Sequence, residues 1–255
     1  MHALLNRIPA GGSMETAPAF DLHKNDPRSR LIVALDVSTA AAAQKIVAAV
    51  GDSALTYKVG MQLYTAEGPG VVRDLVASGR KVFLDLKYHD IPNTVQSAVR
   101  EAAQLGVSML TVHASGGGKM LRAAVEGARS KADLIILAVT VLTSLDQAGL
   151  NESGIEGSVE DQAQRMARLA ASCGCQGIVS SAKEAPALRA QLGPDFVIVT
   201  PGIRPAGSAH GDQARVVTPA EAIAAGASHI VVGRPITEAA DPAAAARAIL
   251  DQMAN

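Results

Sequence analysis

From Leu31 onward, short apolar runs rich in Val, Ile and Leu alternate with longer alanine-rich stretches that predict helices. Nearly every position in the apolar runs is hydrophobic, which indicates strands buried on both faces of a parallel sheet. The predicted strands are LIVALDV (31–37), ALTYKVG (54–60), KVFLDLK (81–87), SMLTVHA (108–114), DLIILAVTVL (133–142), QGIVSS (176–181), DFVIVTPGI (195–203) and SHIVVGRPI (228–236). The predicted helices lie near 39–50, 62–78, 93–105, 117–129, 159–172, 182–192, 218–225 and 240–253.

The number of strand–helix units favours one of two architectures. Regular alternation is typical of βαβ units, and eight units in about 225 residues predict a single-domain (β/α)8 TIM barrel. The alternative is a doubly wound open sheet, which usually has fewer strands and often carries a GxGxxG turn after its first strand when it binds a nucleotide. Here the first strand is followed by STAAAA, so the barrel is the better interpretation.

The N-terminal region differs from the rest of the chain. Residues 1–28 mix Gly, Pro and charged residues without a sustained period, and we expect a flexible extension there, followed by a barrel domain over 29–255. The apolar stretch from Ala3 to Leu5 is too short for the hydrophobic region of a signal peptide.

Composition argues against several classes of partner. Lys and Arg number 23 against 24 Asp and Glu, so no strongly basic face is expected and no nucleic-acid partner. No run approaches the ~18 apolar residues of a membrane span, so no membrane partner is expected either. Cys173 and Cys175 are only two positions apart, and we interpret them as reduced thiols of a cytoplasmic protein. No convincing set of zinc ligands accompanies them.

Polar residues gather where the predicted strands end, which in a barrel is the rim that carries the active site. These residues are Asp36, Lys58, Asp85, Lys87, Asp90, His113, Ser115, Thr143, Ser144, Ser180, Ser181, Arg204 and Arg234. Taken singly, most have an ordinary structural explanation: an aspartate in a turn, a packed His113, or serines 180 and 181 that cap the next helix. The case for a functional site therefore depends on their convergence.

Four of these residues alternate in charge around three neighbouring strands. Asp85 and Lys87 are two positions apart, so their side chains share one strand face. Together with Asp36 and Lys58 they would form a self-compensating array that keeps charge in a confined site. A lysine between carboxylates stays protonated and can serve as a general acid. The alternative is a purely structural network of salt bridges.

The loops after the seventh and eighth strands predict a phosphate site. The segments VTPGIRP and VVGRPIT each contain a glycine followed closely by an arginine, Arg204 in the first and Arg234 in the second. TIM barrels often bind phosphate at these two loops, glycine allows close approach of the backbone, and arginine offers a bidentate donor pair. The alternative is a pair of ordinary surface arginines. A phosphate monoester held at one side of the barrel, with chemistry near Lys87, is the predicted substrate.

Several segments together resemble the orotidine 5′-phosphate decarboxylase family, from about Arg30 to the C-terminus. They are LIVALDV, YKVG, LDLKYHDIPNTV, VTPGIRP, GDQAR and VVGRPIT. The bare D-x-K-x-x-D pattern is also similar to the magnesium-dependent 3-keto-L-gulonate 6-phosphate decarboxylases. The IPNT that follows it and the later GDQ favour the orotidylate enzymes.

The resemblance implies a role for each matching residue. Lys87 would donate a proton to C6 of the pyrimidine, Asp85 would lie beside the substrate carboxylate, and Asp36 and Lys58 would bind ribose hydroxyls and orient that pair. It further implies a homodimer in which Asp90 reaches into the partner's site. The remaining substrate-binding residues that it implies are Thr94, Thr143, Ser144, Arg204, Gln213, Gly233 and Arg234. Neither a metal nor an organic cofactor is expected.

Two other functions remain open from the sequence. One is a magnesium-dependent decarboxylase or epimerase that acts on a sugar phosphate. The other is a barrel that binds phosphorylated ligands without chemistry. The first hypothesis is the decarboxylation of orotidine 5′-phosphate to UMP and CO₂, the last step of pyrimidine biosynthesis.

Overall fold

The computed structural model describes residues 26–205 and 217–254. Most of the predicted N-terminal extension, residues 1–25, lies outside the described residues. The described chain starts with a short helix, α1 (Pro27–Arg30), whose first turn is capped by the Asp26 carboxylate accepting from the Arg28 backbone N–H.

Eight parallel strands close into a barrel in which each strand pairs with the next along the chain and the last pairs with the first. They are β1 (Leu31–Ala34), β2 (Thr56–Gly60), β3 (Lys81–Tyr88), β4 (Met109–His113), β5 (Ile135–Val139), β6 (Gly177–Val179), β7 (Val197–Thr200) and β8 (His229–Val232). The prediction of a TIM barrel is thus confirmed. Parallel strands in one ring bring all eight C-terminal ends to the same rim.

Helices cover the outside of the barrel between successive strands. They are α2 (Ala40–Val50), α3 (Met61–Glu67), α4 (Gly70–Ala77), α5 (Pro92–Gln104), α6 (Gly117–Gly127), α7 (Gln147–Glu152), α8 (Val159–Ser172), α9 (Ala185–Leu192), α10 (Pro219–Ala224), α11 (Arg234–Thr237) and α12 (Pro242–Ala254). The single helix predicted over 62–78 is wrong: Gly68, at φ 66°, ends α3 and separates it from α4. A left-handed backbone of this kind suits glycine and commonly ends a helix.

Side-chain alternation along the strands produces two apolar layers. Inward-facing residues fill the barrel itself, and outward-facing residues pack against the helices in a larger cluster. The inner layer consists of Ile32, Ala34, Phe83, Met109, Ile135, Leu137, Val199 and Val231. This layer closes the barrel below the rim, so the polar residues above it have a rigid apolar floor.

Two further predictions concern the cysteines and membrane insertion. Cys173 and Cys175 are both buried, with no disulfide between them. Burial raises the pKa of the Cys175 thiol to about 12. Of the helices in the described ranges, none is both long and apolar enough to span a bilayer.

Candidate active site

The C-terminal ends of β1, β2 and β3 bring the four predicted charged residues together. Lys58 Nζ lies 2.8 Å from Asp36 Oδ1 and 3.8 Å from Asp85 Oδ2, and Lys87 Nζ lies 2.8 Å from Asp85 Oδ1. Asp85 and Lys58 are largely shielded from solvent, with side-chain exposures of 13% and 12%. Each carboxylate in this array therefore faces an ammonium group, which offsets the cost of holding charge in a confined site.

The strand register explains the spacing of this array. Gly60 pairs with Asp85 across β2 and β3, and Lys58 pairs with Phe83. Gly60 also leaves space for the ion pairs, because a Cβ at this position would lie 3.0 Å from Lys58 Nζ and 3.4 Å from Asp36 Oδ1. The absence of a side chain at Gly60 lets the Lys58 ammonium occupy the rim.

Lys87 has an unusual backbone conformation. It is the one non-glycine residue with positive φ, 51°, in the ranges that the structure describes. The pairing of β3 with β4 shifts register between Leu84 and Tyr88, at the segment that contains Asp85 and Lys87. The simple alternation expected from the sequence is thus interrupted here, although both side chains still line the same cavity.

Arg204 and Arg234 lie close together after β7 and β8. Arg204 is buried, with 7% exposure, and its Nη1 donates to the carbonyl oxygen of Ile203 at 3.0 Å. Burial and, to a smaller extent, the neighbouring Arg234 lower the pKa of the Arg204 guanidinium. Two like charges brought together in a cavity wall favour an anionic ligand, which would relieve their repulsion.

A cavity of about 500 Å³ joins the charged array to the two arginines. Its lining includes Asp36, Lys58, Asp85, Lys87, Thr143, Arg204, Gly233 and Arg234. Since β8 pairs with β1 in the closed ring, the arginines adjoin the Asp36 end of the array, whereas Lys87 on β3 is four strands away from β7. One elongated ligand with an anionic end could therefore contact both groups.

Four predicted site residues, Asp90 among the catalytic ones and three among the substrate-binding ones, are not placed in this cavity. Asp90, Thr94 and Ser144 are exposed and do not line it, and Gln213 lies outside the described residues. The Asp90 carboxylate accepts from the backbone N–H of Ile91 at 2.6 Å.

The other polar residues noted at the strand ends have local partners. Ser180 Oγ donates to the buried Glu184 carboxylate at 2.6 Å, and the Ser181 backbone N–H donates to the same carboxylate at 3.0 Å. This network orders the turn before α9, which agrees with the interpretation of the two serines as structural residues at the start of the next helix. His113 lies with its ring centroid 5.4 Å from that of His89, and burial is the main cause that lowers its pKa.

Sequence reasoning missed the apolar lining and one buried hydroxyl. Phe83, Val139, Val179 and Val231 form the apolar wall of the cavity. Thr111 on β4 is fully buried, and its Oγ1 donates to Asp85 Oδ1 at 3.0 Å. Period-two counting back from the strand ends could have found all five, because inward-facing positions alternate along each strand.

No group of three or more His, Cys, Asp or Glu residues within 26–205 and 217–254 is arranged to hold a metal ion. The acidic residues of the site are instead interleaved with lysines.

The comparison with known families covers most of the barrel. Residues 29–249 match the model of the orotidine 5′-phosphate decarboxylase / HUMPS family. The chain belongs to this family. The resemblance predicted from the sequence is confirmed by this match, which extends over both halves of the cavity.

Individual members of the family are similar over nearly their whole length. An orotidine 5′-phosphate decarboxylase of Anaeromyxobacter dehalogenans is 56% identical over 223 residues, which are 88% of this chain and 97% of the relative. The enzyme of the same name from Moorella thermoacetica is 53% identical over 229 residues, covering 87% and 91%. The crystal structure of orotidine 5′-phosphate decarboxylase from Lactobacillus acidophilus superposes with a TM-score of 0.79 at 40% identity, covering 88% of this chain and 99% of that one.

Proposed function

We propose that this protein decarboxylates orotidine 5′-phosphate to UMP and CO₂, the last step of pyrimidine biosynthesis. The observation that carries the proposal is a single cavity lined by both the Asp–Lys array and two arginines. Relatives that carry this activity in their names support it.

The proposed chemistry centres on Lys87. When the bond between C6 and the carboxylate breaks, CO₂ leaves and the electron pair stays on C6, where no adjacent carbonyl can delocalise it. A fixed ammonium stabilises this charge as it develops and then transfers a proton to C6. Lys87 afterwards regains its proton from water.

Asp85 and the Lys58–Asp36 pair prepare Lys87 for this step. The 2.8 Å contact with Asp85 fixes the position of the Lys87 ammonium. A substrate carboxylate beside Asp85 would experience repulsion that its departure as CO₂ removes. Lys58 and Asp36 would bind ribose hydroxyls, and their contact with Asp85 would transmit the position of the ribose to the reacting groups.

The arginines would anchor the substrate at the part of the rim that follows β7 and β8. Arg204, Arg234 and Gly233 would hold the phosphate together with Gln213, and Thr143 and Ser144 would contact the pyrimidine. Binding energy from the phosphate and ribose can then align the base at Lys87. Substrate binding and chemistry would thus depend on different residues.

The proposed reaction uses neither a metal nor an organic cofactor. Many decarboxylases obtain an electron sink from a cofactor. Here Asp85 Oδ1 accepts from Lys87 Nζ and Thr111 Oγ1, and its Oδ2 faces Lys58 Nζ at 3.8 Å. Carboxylate oxygens engaged in this way are poor candidates for the ligands of a magnesium ion.

We further propose a homodimer that shares residues between its sites. The segment from His89 to Thr94 is exposed throughout, and Ile91 in its middle is 67% exposed. Because Asp90 and Thr94 do not line the cavity of their own chain, they would complete the partner's site.

The proposed location is the cytoplasm, where the thiols Cys173 and Cys175 would remain reduced.

The decisive experiment follows the ultraviolet absorbance of orotidine 5′-phosphate with purified protein in the presence of EDTA. We expect turnover that the chelator does not change. Activity that EDTA abolishes would instead favour the magnesium-dependent alternative, which a sugar phosphate substrate would then test. Binding of UMP without any decarboxylation would indicate a barrel that only binds phosphorylated ligands.

A further inference from the structure

The register shift in β3 places one residue of β4 opposite the reacting pair. Leu84 pairs with Leu110 and Tyr88 pairs with Val112, so β3 advances by four residues while β4 advances by two. Thr111 is the single β4 residue between these two pairings. It therefore faces the bulged segment that carries Asp85 and Lys87.

The Thr111 hydroxyl replaces strand pairing in this bulge. Its Oγ1 accepts from the Lys87 backbone N–H at 2.9 Å and donates to Asp85 Oδ1 at 3.0 Å. A bulge leaves backbone groups without their ladder partners, and a buried backbone N–H without a partner is costly. The hydroxyl supplies that partner, and it is itself fully buried.

The two hydrogen bonds close a ring around the reacting pair. Lys87 reaches Asp85 Oδ1 by its ammonium at 2.8 Å, and its backbone N–H reaches the same oxygen through Thr111. A left-handed backbone is unfavourable for lysine, because its Cβ approaches the following carbonyl oxygen. A residue held in such a conformation needs support from its surroundings, and the Thr111 hydroxyl provides it here.

We propose that Thr111 is a positioning residue that sets the direction of the Lys87 side chain and the rotamer of Asp85. This inference rests on the proposed function. A hydroxyl is required because it must accept from one group and donate to the other, so an apolar side chain of the same shape cannot replace it.

The test compares Thr111→Val, which keeps the shape of the side chain, with Thr111→Ser, which keeps the hydroxyl. Thr140→Val is the matched control, because the buried Thr140 hydroxyl donates to the carbonyl oxygen of Val179 at 3.1 Å. Displacement of a catalytic group by about 1 Å can reduce the rate by about 10²-fold. We therefore expect Thr111→Val to lower kcat by about this factor, with little change in KM or in the inhibition constant of UMP.

The serine variant and the control are expected to retain most of kcat. A Thr111→Val enzyme with kcat within a few fold of wild type would overturn the inference, as would a Thr111→Ser enzyme as slow as the valine variant. Should the valine variant fail to fold, a comparison of Thr111→Ala with Thr111→Ser again contrasts loss and retention of the hydroxyl. Equal kcat values in these two variants would overturn the inference.

Amide hydrogen exchange at Lys87 gives a readout that does not depend on turnover. Exchange should be faster in Thr111→Val than in wild type or Thr140→Val, and unchanged exchange would reject the positioning role. If the wild type does not decarboxylate orotidine 5′-phosphate, the proposed function fails while this measurement still decides the role of Thr111.

Discussion

At the scale of single residues, the site is organised by charges that occur in pairs. Asp36, Lys58, Asp85 and Lys87 each have a partner of opposite charge within 4 Å. Removal of Asp85 leaves Lys87 without a carboxylate partner, and removal of any other member changes the charge balance of a confined site, where an unpaired charge is costly. Substitutions in the array therefore affect both chemistry and local electrostatics, and their tests need a measurement of folding.

Replacement of Lys87 by alanine should remove both the stabilising charge and the proton donor. We expect kcat to fall by about 10³-fold or more, measured by the absorbance of orotidine 5′-phosphate. The exposed Lys45 on α2 offers a control, since Lys45→Ala should leave the rate unchanged. Near-normal turnover by a folded Lys87→Ala enzyme would contradict the assignment of the acid.

Replacement of Arg234 by alanine should mainly weaken the binding of phosphorylated ligands. Loss of a charge-assisted hydrogen bond predicts an inhibition constant for UMP that is about 10- to 100-fold higher. Uridine, which has no phosphate, should bind equally well to the variant and the wild type. Arg247→Ala changes an exposed arginine on α12 and serves as the control. An unchanged constant for UMP would reject the phosphate role.

Much of the array was predictable from spacing, because alternation along a strand places Asp85 and Lys87 on one face and strand order brings Asp36 and Lys58 beside them. The left-handed backbone of Lys87 was not predictable, since nothing in the residue type signals positive φ. The role of Thr111 depends on that conformation and on the register shift, so it also required three-dimensional coordinates.

At the scale of elements, the eight strands were predicted in the right places but mostly too long. The run 133–142 forms a strand only over Ile135–Val139, because Asp133 and Leu134 precede the strand and residues 140–142 already belong to the rim loop. The last three residues of the predicted strand 228–236 belong instead to the short helix Arg234–Thr237. Pro235 could have signalled this, since proline is unfavourable inside a central strand and common in the first turn of a helix.

One strand residue gives a test of stability at this scale. Tyr57 on β2 is fully buried, its hydroxyl has no hydrogen-bond partner in the described part of the chain, and burial raises its pKa to about 12. A buried hydroxyl without a partner costs about 1–3 kcal/mol. Tyr57→Phe should therefore raise the free energy of unfolding, by about 1 kcal/mol, in urea titrations. A clear loss of stability would show that the hydroxyl has a favourable partner.

At the scale of the whole molecule, the shared-site proposal predicts complementation between inactive variants. A heterodimer of Asp90→Ala with Lys87→Ala contains one site with both native residues. Mixing the two proteins should therefore restore about a quarter to a half of wild-type activity, depending on how completely the subunits exchange between dimers. The absorbance assay measures the recovery, and native mass spectrometry verifies the heterodimer. Absence of recovery in verified heterodimers would show that Asp90 does not act across the interface.

The pH dependence of stability should reflect His229 at the N-terminal end of β8. Burial, with Arg30 and Lys81 nearby, lowers the pKa of His229 to about 4. The unfolded chain keeps a histidine pKa of about 6.5, so it binds more protons than the folded state between these values. The free energy of unfolding should therefore fall as the pH falls through this window, by up to about 3 kcal/mol.

His229→Gln should remove this contribution, as judged from urea titrations at about pH 7 and about pH 5. Burial lowers the pKa of His113 as well, so part of the slope will remain. Lys45→Ala, which changes an exposed residue on α2, is the control. A slope in His229→Gln equal to that of the wild type would contradict the prediction.

The pairing of β8 with β1 has a consequence for the assembly of the chain. Once these strands meet, every strand has two neighbours and the sheet offers no unpaired edge to another molecule. Until then, β1 and the last strand formed each expose open backbone groups that can recruit a second chain. Because β8 spans His229–Val232, a polypeptide that ends before His229 keeps both edges open and should be prone to aggregation.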